Sequence, residues 1–513
     1  MNKKQFIINI TSNITAFLVN VIMSFFLTPY LIKVLGKETY SFYPLANNFV
    51  EYANVFAIAF NSVAARFVSV EIHKGNSEKA NVYFNSILFS NIIIGLICAA
   101  VSFCVIFQLE KIINIPQDMV IDVKILFALV FLNFIINLSS VALGICTTVR
   151  NRLELTSLRK MEASFIRLII TITLLFVFSP RIFYVGAGVL VATLFVLITN
   201  WVYTKKLLPE MRISRLYFRL YYAKEVIMSG MWNSVNNLGE LLFSGFNLIL
   251  ANIFVGVSQA GNLSISRTVP SFMISLTATV VTVFVPSILK TYAVGTKKEL
   301  VSILRSSATI ISVIINLPLT IFLVFGKEFY QLWVPGEDIN SIYIITIILV
   351  FPIIFNSSIS CLKNIFIAMN KFKFPAVILC ASGGLNLLLT IIILKIFPEI
   401  GVFGIIVTSS VIRIMYNMIF SVLYVSRLLN TKAYKLYITI IKSILLVVSV
   451  FIIGELIKPV YKINTWIDLF AMCVILGIIG LVISAFVILN RNDRKRLLNM
   501  IKDVFHIGDK KCL

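Results

Sequence analysis

Six ionisable side chains stand inside long apolar runs of this sequence: Glu51, Arg167, Glu240, Arg267, Lys363 and Arg413. Holding a charge at the centre of a hydrocarbon layer costs about 3 kcal/mol, so each marks a polar cavity, a partner or a transported ion. Four are cations and two are carboxylates, a surplus that favours an anionic ligand. Arginine suits phosphate because its planar fork of donors meets two oxygens at once. Arg267, Arg167, Arg413 and Lys363 are therefore the candidate binders of an anionic head group. Glu240 and Glu51 have two readings. Each is either a structural ion-pair partner of an arginine or a site that loads and releases a proton or Na⁺.

Polar neighbours recur at steps of three and four, which places them on one helix face. The segment 6–32 carries Asn9, Asn13, Asn20 and Ser24, and 40–69 carries Asn47, Glu51, Asn54 and Asn61. The segment 223–254 carries Asn233, Asn237, Glu240, Ser244 and Asn247, and 258–289 carries Ser264, Arg267, Ser271 and Ser275. Asn13, Asn47, Asn54, Asn233, Asn237 and Ser271 are the candidate polar lining of a wet face. The alternative is a seam of interhelical hydrogen bonds, worth about 1 kcal/mol each. Two further stripes run through Lys160, Ser164, Arg167 and Thr171 and through Ser410, Arg413, Asn417 and Ser421. Lys363 lies near a helix end, so snorkelling is its competing reading.

These residues need helices in a membrane to hold them. Of 513 residues, 59% are hydrophobic and 13% are charged, too much apolar surface for a soluble interior. The apolar runs are about twenty residues long, enough to cross the hydrocarbon as helices. Lipid offers backbone groups no partners, and short alternating strands for a barrel are missing. The expected helices are 6–32, 40–69, 80–108, 119–146, 158–179, 182–204, 223–254, 258–289, 299–326, 341–368, 373–397, 401–428, 434–457 and 465–490. The fold class is all-α integral membrane.

Odd-numbered connections carry about nine Lys and Arg, whereas even-numbered ones and the tails carry about thirty-one. That asymmetry puts both termini on the cytoplasmic side. It also explains a net charge of +23 by topology and attraction to anionic lipid, without nucleic acid. The basic tail after Asn490 holds Arg491, Arg494, Lys495 and Arg496. Seven cysteines, ending with Cys512, form no CxxC pair, and the two histidines are His73 and His506. No metal or cofactor site is expected.

A shift of 220 residues aligns Asn13 with Asn233, Ser24 with Ser244, Gly36 with Gly256 and Gly75 with Gly295. Six helices separate the copies, so they run in the same direction as parallel repeats. This predicts two pseudo-symmetric six-helix lobes around a central cavity, 1–222 and 223–430, with two extra helices and a basic tail over 431–513. Pro270, Pro318 and Pro352 are expected to bend the second lobe. No connection exceeds about twenty residues, too short to carry a catalytic domain, so an enzyme is not expected.

The run from Phe26 to Gly36, FLTPYLIKVLG, is followed by Tyr40, Tyr43, Asn61-Ser62-Val63-Ala64-Ala65-Arg66-Phe67 and Gly75. This pattern resembles the opening of the Wzx-type polysaccharide flippases, with Ser41 where that family usually has glycine. The resemblance covers the first eighty residues in motif and the whole chain in helix count. It implies the MATE-like fold of the MOP transporter superfamily: two lobes forming a V that open alternately to each side. It also implies an undecaprenyl-pyrophosphate oligosaccharide as cargo, a bacterial inner-membrane location and possible contact with other polysaccharide-assembly proteins. Neither ATP nor a cofactor is implied, which leaves a proton or Na⁺ gradient as the driving force. The alternative within the same fold is a MATE-type exporter of organic cations. Many of those resemble one another in a carboxylate on the first helix, and here the stretch from Gln5 to Tyr30 has none.

Overall fold

A computed structural model describes residues 3–490 and 493–494. His506, Cys512 and the tail residues Arg491, Lys495 and Arg496 lie outside the described residues. Among the described residues there are only helices and their connections.

Among the described residues thirteen helices are long and apolar enough to cross a membrane. A further helix, Leu153–Val177, is equally long at 25 residues. Arg159, Lys160, Glu162 and Arg167 make it too charged to count as a plain apolar span. In chain order the helices are α1 (Lys3–Leu35), α2 (Lys37–His73), α3 (Ser77–Phe107), α4 (Gln117–Val149) and α5 (Leu153–Val177). Next come α6 (Phe183–Leu207), α7 (Leu220–Val255), α8 (Val257–Val294), α9 (Lys297–Trp333) and α10 (Ile339–Ser360). The last are α11 (Lys373–Ile396), α12 (Val402–Leu428), α13 (Tyr434–Ile457) and α14 (Trp466–Ile488).

The 220-residue repeat is written into the helix boundaries. α1 ends at Leu35 and α7 at Val255; α2 starts at Lys37 and α8 at Val257; α3 starts at Ser77 and α9 at Lys297. The joints Gly36 and Gly256 take φ of 80° and 120°, a region that other residues enter only with strain. Asn76 and Thr296 both cap the following helix, accepting from the backbone N–H of Lys79 and Glu299 respectively.

Packing divides the chain into two compact units, 1–261 with 376–387, and 262–375 with 388–513. The units do not coincide with the repeat copies, because α7 packs along α2 within the first unit. There, a Cβ on Gly230 would lie 1.9 Å from the carbonyl oxygen of Ala59, so glycine is required for that approach. Asn48 donates to the carbonyl of Gly245 (3.1 Å) and Ser234 to that of Val55 (2.7 Å), lacing the antiparallel pair.

The second unit is organised around α9, of whose most apolar window 72% is buried. α13 and α14 pack onto it, with Val450, Leu446 and Leu476 joining Leu304, Ile311 and Val324 in one apolar core. Between membrane helices such a core is held by close van der Waals packing, since lipid is as apolar as the side chains. α10 ends at Ser360, short of the 341–368 expected. Residues 361–363 form a tight turn, with Leu362 N–H donating to Ile359 O and Asn364 N–H to Cys361 O, before a short helix resumes.

Two of the three prolines leave carbonyls that neighbouring helices satisfy. Proline has no N–H for the carbonyl four residues back. For Pro270 that group is Ser266 O, which accepts from Thr346 Oγ1 at 3.3 Å. For Pro352 it is Ile348 O, which accepts from Ser410 Oγ at 3.0 Å. Freed backbone groups inside a membrane are tolerated only where neighbouring side chains or waters take them up in this way.

Candidate functional site

The candidate residues are distributed over both units. In the first, Asn13 accepts from Ser157 Oγ on α5 at 2.8 Å. The same face of α1 continues the seam: Gln5 donates to Glu154 (2.8 Å), Asn9 to Asn151 Oδ1 (3.0 Å) and Asn20 to Ser164 (3.5 Å). The α1 stripe thus makes hydrogen bonds to α5 and to the turn before it. Asn13 nonetheless remains exposed beside that bond.

On α2, Asn47 is half-buried and donates to the carbonyl of Tyr43 at 2.8 Å, while Asn54 is half-buried and Glu51 exposed. On α7, Asn233 donates to Ser62 Oγ at 3.1 Å, with Asn237 and Glu240 half-buried in the next turns. Arg167 projects from α5 with its guanidinium 5.6 Å from the centre of the Tyr43 ring. Such a cation over an aromatic face is stabilised by about 1 kcal/mol. Among the described residues its Nε has no hydrogen-bond partner, although it is buried. A donor so placed is ready for an acceptor.

In the second unit, Arg267 sits at the interruption of α8, between Val257–Ser266 and Thr268–Val294. Pro270 causes that interruption. Arg267 is half-buried, and Ser271, one turn on, is exposed. Lys363 occupies the turn after α10 and donates to Asn417 Oδ1 at 2.9 Å. Its Nζ also lies 5.4 Å from the centre of the Tyr416 ring. Lys363 is thus held by an amide and an aromatic ring on α12. Its partners sit on a π-helical stretch, Tyr416–Ser421, within α12. Such bulges are frequent at functional sites, because the extra residue turns side chains out of helical register. Arg413 precedes the bulge by one turn and is half-buried.

Sequence periodicity did not indicate three side chains on α3 that clamp the basic connection between α6 and α7. Asn81 donates to Glu210 O (2.8 Å) and accepts from Arg212 N–H (2.7 Å). Asn85 donates to Arg212 O (2.8 Å) and accepts from Ser214 N–H (2.9 Å). Ser86 bonds both backbone groups of Arg219. The signal was present as Asn81 and Asn85, one turn apart on one face, but amide stripes carry no mark of whether they bind chain or ligand.

Among the described residues no group of three or more His, Cys, Asp or Glu is placed to hold a metal ion. What the geometry offers is a set of half-buried cations in polar and aromatic company, in a helical membrane scaffold.

Comparison with known proteins agrees with that scaffold. The chain is 28% identical over 500 residues to the uncharacterized membrane protein EpsK of Bacillus subtilis (strain 168), covering 97% of this chain and 98% of the relative. Its fold is similar to the lipid II flippase MurJ in an inward closed conformation, with a TM-score of 0.68 and 13% identity over 93% of this chain and 98% of that one. It is also similar to an inward-facing multidrug resistance MATE family transporter of the MOP superfamily, with a TM-score of 0.62 and 13% identity over 82% and 96%. The family model described as polysaccharide biosynthesis protein matches residues 6–292, more than half of the sequence. This multi-pass membrane protein with a MATE- and MurJ-like fold therefore belongs to the polysaccharide biosynthesis protein family.

Proposed function

We propose that the protein flips an undecaprenyl-pyrophosphate-linked oligosaccharide across the bacterial cytoplasmic membrane by alternating access, with both termini cytoplasmic. The carrying observation is the surplus of cations over carboxylates within the membrane helices. Arg167, Arg267 and Arg413, with Lys363 in the turn after α10, outnumber Glu51 and Glu240 in a polysaccharide biosynthesis protein. Arg167 has a buried donor without a partner among the described residues, which suits a pyrophosphate oxygen. Asn54 and Asn237 supply amides for sugar hydroxyls. Glu240 and Glu51 are assigned to coupling with a proton or Na⁺ gradient, and the protein acts as a transporter with no bond made or broken.

The deciding experiment deletes the gene in its host and measures lipid-linked oligosaccharide and surface polymer together. Accumulation of the completed lipid-linked unit with loss of surface polymer is expected. Unchanged lipid and polymer, with new sensitivity to cationic drugs, would instead identify a MATE-type exporter.

A further inference from the structure

The two copies of the repeat treat the groove beside their third helix differently. In the first copy Asn81, Asn85 and Ser86 fill it with the backbone of residues 210–219. The shift of 220 carries these positions to Val301, Arg305 and Ser306 on α9. There the chain leaves α12 at Leu428 and enters α13 at Tyr434, leaving too few residues for a lining segment. The groove stays open as a cavity of about 490 Å³, within the range of small-molecule sites.

Five cations line it: Lys297, Lys298, Arg305, Lys435 and Lys442. Among the described residues none of the five forms an ion pair. Lys442 donates to the carbonyl of Ile488 at 3.1 Å, which fixes its position without neutralising it. Arg305 Nε is buried with no hydrogen-bond partner among the described residues. Among the described lining residues the one carboxylate, Asp493, accepts from Ser306 Oγ and from the Asn490 N–H. Cations brought this close repel one another, and an anion relieves that repulsion. The cavity lies at the basic ends of α9 and α13, and basic residues at the ends of membrane helices meet lipid head groups.

We propose that this cavity is a binding site for a phosphate group, either the head group of an anionic phospholipid or a free phosphate. Arg305, standing where the first copy has Asn85, is the principal ligand: its fork takes two phosphate oxygens, and the lysines supply the remaining charge. The site is separate from Arg267 and from the Lys363–Asn417 pair, and the assignment does not depend on the cargo.

The test uses the full-length protein in nanodiscs of zwitterionic phosphatidylcholine. Native mass spectrometry and thermal unfolding follow titration with phosphatidylglycerol and, separately, with inorganic phosphate. The wild type is expected to retain one phosphate-bearing molecule, and K298Q/R305Q/K435Q to bind about tenfold more weakly, a loss of about 1.4 kcal/mol. Retention of phosphatidylglycerol alone identifies a lipid site, and saturation by inorganic phosphate alone identifies a soluble ligand. Equal binding of both probes by wild type and variant overturns the assignment. So does an equal loss in the charge-matched control K290Q/R427Q/K432Q, whose residues are exposed outside the cavity. Should R305Q fail to fold, K298Q/K435Q, which spares the buried arginine, is held to the same outcomes.

Discussion

Thr346 places its hydroxyl 3.3 Å from the carbonyl of Ser266, the group that Pro270 leaves without a helical donor. That hydroxyl also lies 2.7 Å from Ile342 O in its own helix and 2.8 Å from the buried Tyr330 hydroxyl, so it joins three groups. Arg267 follows the satisfied carbonyl directly. Thr346→Val keeps the shape and removes the donor. The expected cost is about 1 kcal/mol, with Ser410→Ala at the Ile348 carbonyl freed by Pro352 costing a similar amount. Detergent-solubilised unfolding of both variants and their combination measures this. Additive losses are expected, since the two freed carbonyls use different partners.

Lys363 and Asn417 act as a pair. Asn417→Leu leaves a half-buried ammonium without its amide acceptor and is expected to cost about 2 kcal/mol. Lys363→Met should be milder, because the stem keeps its packing and no half-buried charge is left behind. The double variant is expected to recover much of the Asn417→Leu loss, and a double-mutant cycle on thermal stability reads the coupling.

Gly230 has no room for a side chain, since its Cβ would meet backbone and not a movable group. Gly230→Leu is expected to destabilise the α2–α7 crossing by about 3 kcal/mol or more. Membrane yield and gel-filtration profile check this. Gly384, with nothing near its would-be Cβ, is the control expected to tolerate alanine.

Asn81→Ala with Asn85→Ala removes four bonds to the basic connection. Each lost bond is worth about 1 kcal/mol, so local opening of that segment should rise steeply. Limited trypsin digestion is expected to cut the double variant faster at Arg212 and Arg215, with cleavage elsewhere unchanged.

Neutralising Arg267 and Arg167 together, as Gln, is expected to abolish export of the lipid-linked oligosaccharide while the protein still reaches the membrane. Glu240→Gln should instead preserve cargo binding and remove dependence on the proton or Na⁺ gradient. Reconstituted vesicles with imposed gradients separate the two effects. Transport by the double arginine variant at the wild-type rate would refute the anionic-cargo assignment.

The sequence alone determined the environment, the helices and their doubling. Apolar runs of membrane-crossing length allow only helices, because lipid cannot satisfy a backbone in any open form. The 220-residue shift was legible because Gly36 and Gly256 both serve joints with positive φ, a local requirement that leaves a residue type behind. Which face of each helix meets which neighbour was decided by tertiary structure. Amide and hydroxyl stripes look alike whether they meet another helix, as Asn13 meets Ser157, or a backbone segment, as Asn85 meets residues 212–214. Lys363 shows the same limit: a π-bulge brings Asn417 to it across α12, and a helical wheel built on 3.6 residues per turn cannot anticipate that rotation. Partner choice inside the bundle depends on contacts far apart in the chain, and periodicity along one helix carries no information about them.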